Sequence, residues 1–174
     1  KLPMTFPRSV GQIPISYQQY RTGRPVLNEA NIVYRSAYID SPNTPRYAFG
    51  HGLSYTSFAY SDLAISQPTM RQGGKVTVSF TLANTGSRAG EEVAQLYIRD
   101  PVASVVRPLM ELKGFQKLKL EPGERRTVRF EIDRDTLAFH DRTLAWVAEP
   151  GEFELMVGTA SDAIRLRGRL TLVD

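Results

Sequence analysis

The chain has no cysteine, two histidines and one tryptophan among 174 residues. Without thiols there is no disulfide framework and no thiolate metal site, and the redox compartment stays open. The two imidazoles, His51 and His140, are far apart in sequence and lack the close ligand spacing of a metal centre. No apolar run approaches the roughly 18 residues needed to span a bilayer. No charged, apolar, small-residue leader follows Lys1. A chain that opens on lysine reads as a piece cut from something longer. The net charge of +4 lies wholly in residues 1–60, which hold six basic and two acidic side chains (6 − 2 = +4), while residues 61–174 hold sixteen of each sign. The larger, C-terminal region therefore has no net field to attract a polyanion, which argues against nucleic acid. Nothing points to a membrane partner.

What the chain does contain divides into two regions. Residues 1–60 carry ten of the seventeen aromatic residues and six of the eleven prolines, at 3, 7, 14, 25, 42 and 45. Prolines at that density break helices and favour extended or turning backbone. The segment has aromatic surface to bury but no periodic face, which predicts a long irregular arm laid along a folded body. Tyr17, Tyr20, Tyr34, Tyr38, Tyr47 and Tyr55 are its expected anchors, each ring apolar with a hydroxyl that can end in water or on a carbonyl. A short helix fits around residues 28–34.

From Ser61 the pattern alternates with period two. Val76, Val78, Phe80 and Leu82 share one face of a strand, as do Ala94, Leu96 and Ile98, then Val128, Phe130 and Ile132, then Phe153, Leu155 and Val157. Ile164–Val173 sets apolar residues against Arg165, Arg167, Arg169 and Thr171. Weaker strands fit Ser61–Gln67, Leu112–Leu120 and Leu144–Val147, making seven or eight. Turn signals at Gly73-Gly74, Asn84-Thr85-Gly86, Glu121-Pro122-Gly123 and Glu149-Pro150-Gly151 separate them. Short strands with one apolar face, spaced by turns, predict an all-β, antiparallel two-sheet sandwich of immunoglobulin-like size. A single helical turn fits Asp133–Leu137, capped by Asp133 or Asp135.

No catalytic, cofactor-binding or metal-binding set emerges. Glycoside hydrolysis needs two converging carboxyls, about 5–5.5 Å apart for retention. Glu91 and Glu92 are neighbours and would face opposite sides of a strand. Glu121 and Glu124 flank a turn, and Asp133 and Asp135 read as caps. No serine sits in a nucleophile elbow. His140 reads as a turn residue. Trp146 and Tyr97 have the ring chemistry of a sugar platform, but a lone tryptophan beside Leu144 and Val147 reads as core or interface. The arginine stripe on Ile164–Val173 reads as a solvated edge that resists aggregation.

Several motifs keep the order of one family. Tyr47-Ala48-Phe49-Gly50-His51-Gly52-Leu53-Ser54-Tyr55-Thr56-Ser57-Phe58 resembles the segment joining the middle and last domains of family 3 glycoside hydrolases, mostly β-glucosidases. Lys1-Leu2-Pro3-Met4-Thr5-Phe6-Pro7 is similar to the end of that family's α/β domain. Arg107-Pro108, Glu111-Leu112-Lys113-Gly114-Phe115, Leu120-Glu121-Pro122-Gly123-Glu124 and Glu149-Pro150-Gly151-Glu152-Phe153 are similar to its terminal fibronectin type III-like domain. The resemblance implies a tail of the α/β domain plus linker over residues 1–60, and the sandwich over 61–174.

It also implies a parent enzyme that removes terminal non-reducing β-D-glucosyl residues with retention, through a glycosyl-aspartate and without an organic cofactor. The family's nucleophile and acid/base motifs are not in this sequence. A non-catalytic structural role follows, with the parent's β/α-barrel and α/β domains as partners, carbohydrate met only through them, and a periplasmic or secreted location. Docking residues implied by the linker motif are Tyr47, Phe49, Gly50, His51, Gly52, Tyr55 and Phe58. Family members often carry tyrosine where this chain has His51, which suits a domain-joining turn better than obligatory proton transfer. A carbohydrate-binding or protein-interaction module is the competing class.

Overall fold

The computed structural model describes residues 1–25 and 33–174. The short helix expected around residues 28–34 falls mainly outside them. Alternation becomes strand wherever it was read. The first sheet comprises β1 (Phe58–Ile65), β3 (Lys75–Asn84) and β6 (Arg125–Asp133), in the order β1-β3-β6. The second comprises β2 (Thr69–Arg71), β4 (Gly90–Arg99), β5 (Glu111–Leu120), β9 (Gly151–Gly158) and β10 (Ile164–Val173), in the order β2-β10-β9-β4-β5. β7 (Phe139–His140) and β8 (Trp146–Val147) form a separate small hairpin. The first strand starts at Phe58 rather than Ser61.

Register turns the period-two pattern into a core. Val78 lies opposite Phe130 and Phe80 opposite Val128 in the first sheet, while Leu96 lies opposite Val157 and Ile98 opposite Leu155 in the second. These side chains meet between the sheets with Leu120, Phe153, Leu170 and Leu172, all buried. Full burial of each large apolar side chain contributes about 1.5–3 kcal/mol.

Three features depart from the sequence reading. β2 runs parallel to β10, so the sandwich is not wholly antiparallel. After β1 the chain crosses at Pro68, whose carbonyl accepts from Thr171 N at 2.9 Å, and then follows the last strand in the same direction. His140 sits in β7 rather than in a turn; the turn follows it, closed by Asp141 Oδ1, which accepts from Thr143 N at 2.7 Å and Ala145 N at 3.0 Å. Trp146 is 45% exposed, which excludes the core half of the core-or-interface reading.

The single helical turn is present as α1 (Arg134–Leu137), and Asp133 caps it in a reciprocal box with Thr136. Asp133 Oδ1 accepts from Thr136 N at 2.9 Å and Thr136 Oγ1 at 2.7 Å, which holds its carboxyl below the usual carboxylate range. Among the described residues of 1–57 there are one 3-10 turn, Val10–Gln12, and two isolated bridges, Phe6 to Tyr47 and Tyr20 to Pro108. Among the described residues no helix is long and apolar enough to cross a membrane.

Candidate functional site

An ordinary sandwich strand buries alternate residues, but β4 buries Ala94, Gln95, Leu96, Tyr97 and Ile98 without a break. Leu96 and Ile98 face the core. Gln95 and Tyr97 face outward, beside Met156 on β9, and are covered by the N-terminal segment. Phe49 stacks on Tyr17 with ring centroids 4.2 Å apart, and the edge of Tyr17 meets Tyr97 at 6.0 Å. The Tyr17 hydroxyl accepts from Leu112 N at 3.4 Å, and burial raises its pKa. Burial likewise raises the pKa of Tyr97, whose hydroxyl donates to Gln95 Oε1. Gln95 Nε2 donates to Thr159 O at 2.7 Å and reaches Gly50 O at 3.5 Å.

The Tyr47–Gly52 stretch is pinned on both sides. Along the first residues, Leu2 N donates to His51 O and Gly50 N to Leu2 O, both at 2.8 Å, and Phe6 N donates to Tyr47 O at 2.8 Å. Toward the sandwich, Ser161 N donates to Phe49 O at 3.0 Å. Gly50 has φ +80°, and a Cβ there would lie 2.3 Å from Gln95 Oε1. Only glycine accepts that turn pressed against that amide. Beside it, the Lys1 ammonium pairs with Glu92 at 2.9 Å, its side chain 17% exposed and that of Glu92 7%. Further along, Thr56 Oγ1 donates to Asn84 Oδ1 at 2.7 Å. Buried Asn84 is satisfied on both ends, its Nδ2 donating to Arg88 O at 2.7 Å and Leu120 O at 3.0 Å.

The linker residues singled out from sequence do not all meet. Phe49 and Gly50 lie at the contact with β4. The Tyr47 ring lies tilted against His51, with centroids 5.0 Å apart, on the side paired with residues 1–6. Gly52 packs on Lys1, where a Cβ would lie 2.9 Å from Lys1 Cδ. Phe58 opens β1 and packs against the core. Tyr55 is 93% exposed and touches none of this. Of the six tyrosines expected as anchors, Tyr17 is one, and Tyr38, which donates to Gln12 O at 3.2 Å, is another. Tyr34 and Tyr55 are exposed, Tyr20 is exposed although its backbone bridges Pro108, and Tyr47 is only half-covered.

Buried Gln12, which sequence reasoning missed, takes the anchoring role, its Nε2 donating to Pro42 O at 2.8 Å. A lone glutamine carries no sequence signal. Gln95 and Tyr97 did carry one, since they alternate against Ala94, Leu96 and Ile98.

The acidic pairs weighed for catalysis are each engaged elsewhere. Exposed Glu91 pairs with Lys117 at 2.8 Å while buried Glu92 holds Lys1 on the other face. Glu124 accepts from Glu121 N at 2.8 Å and Arg126 Nε at 2.8 Å. Asp135 accepts from Trp146 Nε1 at 3.2 Å.

Residues 92–161 match the fibronectin type III-like domain family. That stretch is similar to a fibronectin type III-like domain. It is 49% identical over 165 residues to a periplasmic β-glucosidase of Salmonella typhimurium, covering 95% of this chain and 22% of that protein. A β-xylosidase of Formosa agariphila is 41% identical over 167 residues, covering 96% of this chain and 22% of that protein. The crystal structure of a β-glucosidase from Listeria innocua in complex with glucose superposes with a TM-score of 0.90 at 38% identity, over 99% of this chain and 24% of that one. The chain thus spans about a fifth to a quarter of these relatives and corresponds to the C-terminal part of family 3 β-glucosidases.

Proposed function

We propose that this chain is the non-catalytic C-terminal unit of an exported enzyme that hydrolyses terminal β-D-glucosyl residues. In this reading residues 61–174 are the sandwich, and residues 1–60 are the tail of an α/β domain and the linker. Tyr47, Phe49, Gly50, His51, Gly52, Tyr55 and Phe58 join the two bodies. One observation carries it. The N-terminal segment covers the outer face of β4 and β9 with Phe49 and Tyr17, yet turns other large apolar side chains to solvent: Val10 is 84% exposed, Ile39 94%, Leu53 93% and Tyr55 93%. A segment bound on one side and apolar on the other suits a layer between two bodies. The remaining three-quarters or more of each relative is large enough to supply the second body. Export is supported by the periplasmic relative.

The test separates scaffold from catalyst. The purified chain is expected to give no turnover of an aryl β-glucoside, and detectable turnover free of full-length enzyme overturns the proposal. In the parent enzyme, Leu53→Ser with Tyr55→Ser should lower the melting temperature, since each such side chain contributes about 1.5–3 kcal/mol when covered. An unchanged melting temperature would place those residues outside any interface.

A further inference from the structure

We propose that the groove between the β7–β8 hairpin, the β4–β5 loop and the N-terminal segment is a carbohydrate subsite that stacks a β-glucopyranosyl ring on Trp146. The groove is an open cleft of about 460 Å³, and Gln18, Tyr20, Glu111, Lys113, His140 and Trp146 are among its walls. That volume is within the roughly 300–1,000 Å³ of small-molecule sites.

The indole is presented rather than packed away. It is 45% exposed, although it is the chain's one tryptophan and stands beside a well-filled core. Two contacts orient the ring and a third holds its backbone. Nε1 donates to Asp135 Oδ1 at 3.2 Å, the backbone carbonyl accepts from Arg134 Nη2 at 2.8 Å, and the His140 ring leans on it at 4.9 Å between centroids. His140 is itself held, its Nδ1 lying 3.1 Å from Leu144 O. An aromatic face pre-set in this way binds a flat apolar surface without further ordering cost.

The charges of the groove choose the ligand class. Arg107 lies over the Phe139 ring at 4.3 Å and pairs with Glu111, whose other oxygen is 3.7 Å from Lys113 Nζ. One carboxylate thus engages both cations and leaves the trio a net charge of 2 − 1 = +1, carried by partnered groups. Partnered charges beside an exposed indole offer hydrogen bonds along one wall and an apolar surface on another, which suits a polyhydroxylated ring. A β-glucopyranosyl unit presents axial C–H bonds on its faces and equatorial hydroxyls at its rim, matching floor and wall. The choice of a β-glucoside among such rings rests on the function proposed above.

Because Trp146 is the sole tryptophan, fluorescence excited where tyrosine does not absorb reports on this groove alone. Titration of the chain with cellotetraose should give a saturable emission change with half-saturation at about 1 mM or below. Calorimetry on Trp146→Ala should show binding weakened ~tenfold or more, the scale of one lost ring contact. Should that variant fail to fold by circular dichroism, Lys113→Ala, which leaves the core untouched, should still weaken binding several-fold. Absence of a saturable change up to about 10 mM overturns the subsite. So does wild-type affinity in both variants, or equal binding of the α-linked maltotetraose. A parent enzyme inactive on β-glucosides would instead sink the proposed function and leave the titration standing.

Discussion

At the scale of single residues, the glycines of this chain are not equivalent. Gly50 and Gly123 both have left-handed backbone, at φ +80° and +75°, but a Cβ at Gly50 meets Gln95 at 2.3 Å whereas one at Gly123 meets nothing within 4 Å. Gln95 cannot step aside freely, because it bonds Thr159 O and the Tyr97 hydroxyl. Gly123→Ala should therefore cost about 1 kcal/mol and Gly50→Ala about 2–4 kcal/mol, read from urea unfolding midpoints. Equal costs would mean that the Gly50 turn does not press on β4. The capping carboxylate of Asp133 gives a pH-resolved counterpart. Its folded pKa is depressed by the hydrogen bonds from Thr136, so its contribution is fully present above the unfolded value near 4 and is lost as pH falls through the folded value. Asp133→Ala should cost about 1 kcal/mol at neutral pH. The deficit should narrow below about pH 4, and a gap of constant size in urea melts at pH 7 and pH 3 would contradict the assignment. The cap was legible in the sequence because capping is local. Buried Gln12 and Asn84 were not, since their hydrogen-bond partners come from Pro42, Leu120 and Thr56, which only the fold brings near.

At the scale of elements, sequence legibility followed length. Eight-to-ten-residue strands such as β3 and β10 repeat their alternation often enough to be read. The two-residue β7 and three-residue β2 offer no period, and for them tertiary contact alone decides, while of the strand expected at Leu144–Val147 only the two-residue β8 forms. Met70 in β2 is fully buried, yet nothing in Thr69-Met70-Arg71 announces a parallel pairing with β10. That pairing is short, spanning Thr171 to Val173, so the earlier part of β10 hydrogen-bonds to β9 alone and leaves an open edge. Arg165, Arg167 and Arg169 are exposed along it, with Arg169 paired to Glu152 at 3.2 Å. Exposed pairs of that kind contribute at most about 1 kcal/mol, so the stripe matters less for stability than for solubility. Arginines on a free edge repel a second edge brought alongside. Replacing Arg165 and Arg167 with valine should leave far-ultraviolet circular dichroism and the melting point nearly unchanged. Light scattering and thioflavin binding should instead rise over hours at moderate concentration. A soluble double variant would show that the edge is protected by something other than charge.

At the scale of the whole molecule, the sandwich and the segment before it share one buried layer, and the sequence disclosed only half of it. The prolines and aromatics of residues 1–60 announced an arm in need of a surface. The surface itself, Gln95 and Tyr97 on β4 with Met156 on β9, lay across two strands that the chain pairs only on folding. Removing residues 1–57 should therefore leave a folded sandwich, because the core between the sheets draws on none of the removed side chains. The truncated protein loses the stacked Tyr17 and Phe49 rings, the hydrogen bond from Ser161 to Phe49 and the Lys1–Glu92 pair. Glu92, its side chain 7% exposed, gains access to water as its partner goes, which softens the cost of breaking a buried pair. The net loss should be about 1–2 kcal/mol, or a melting temperature lower by about 5–10 °C for a unit of this size. Newly bared Tyr97 and Met156 should raise binding of an apolar dye over that of the intact chain. If calorimetry instead gave the same melting temperature and the dye the same signal, the segment would be lying on the sandwich without stabilising it. The layer could then not transmit a rigid connection to any preceding body. A shift of the expected size, with the strand spectrum kept, would make the N-terminal segment a fitted cover whose outer apolar side is available to a second body.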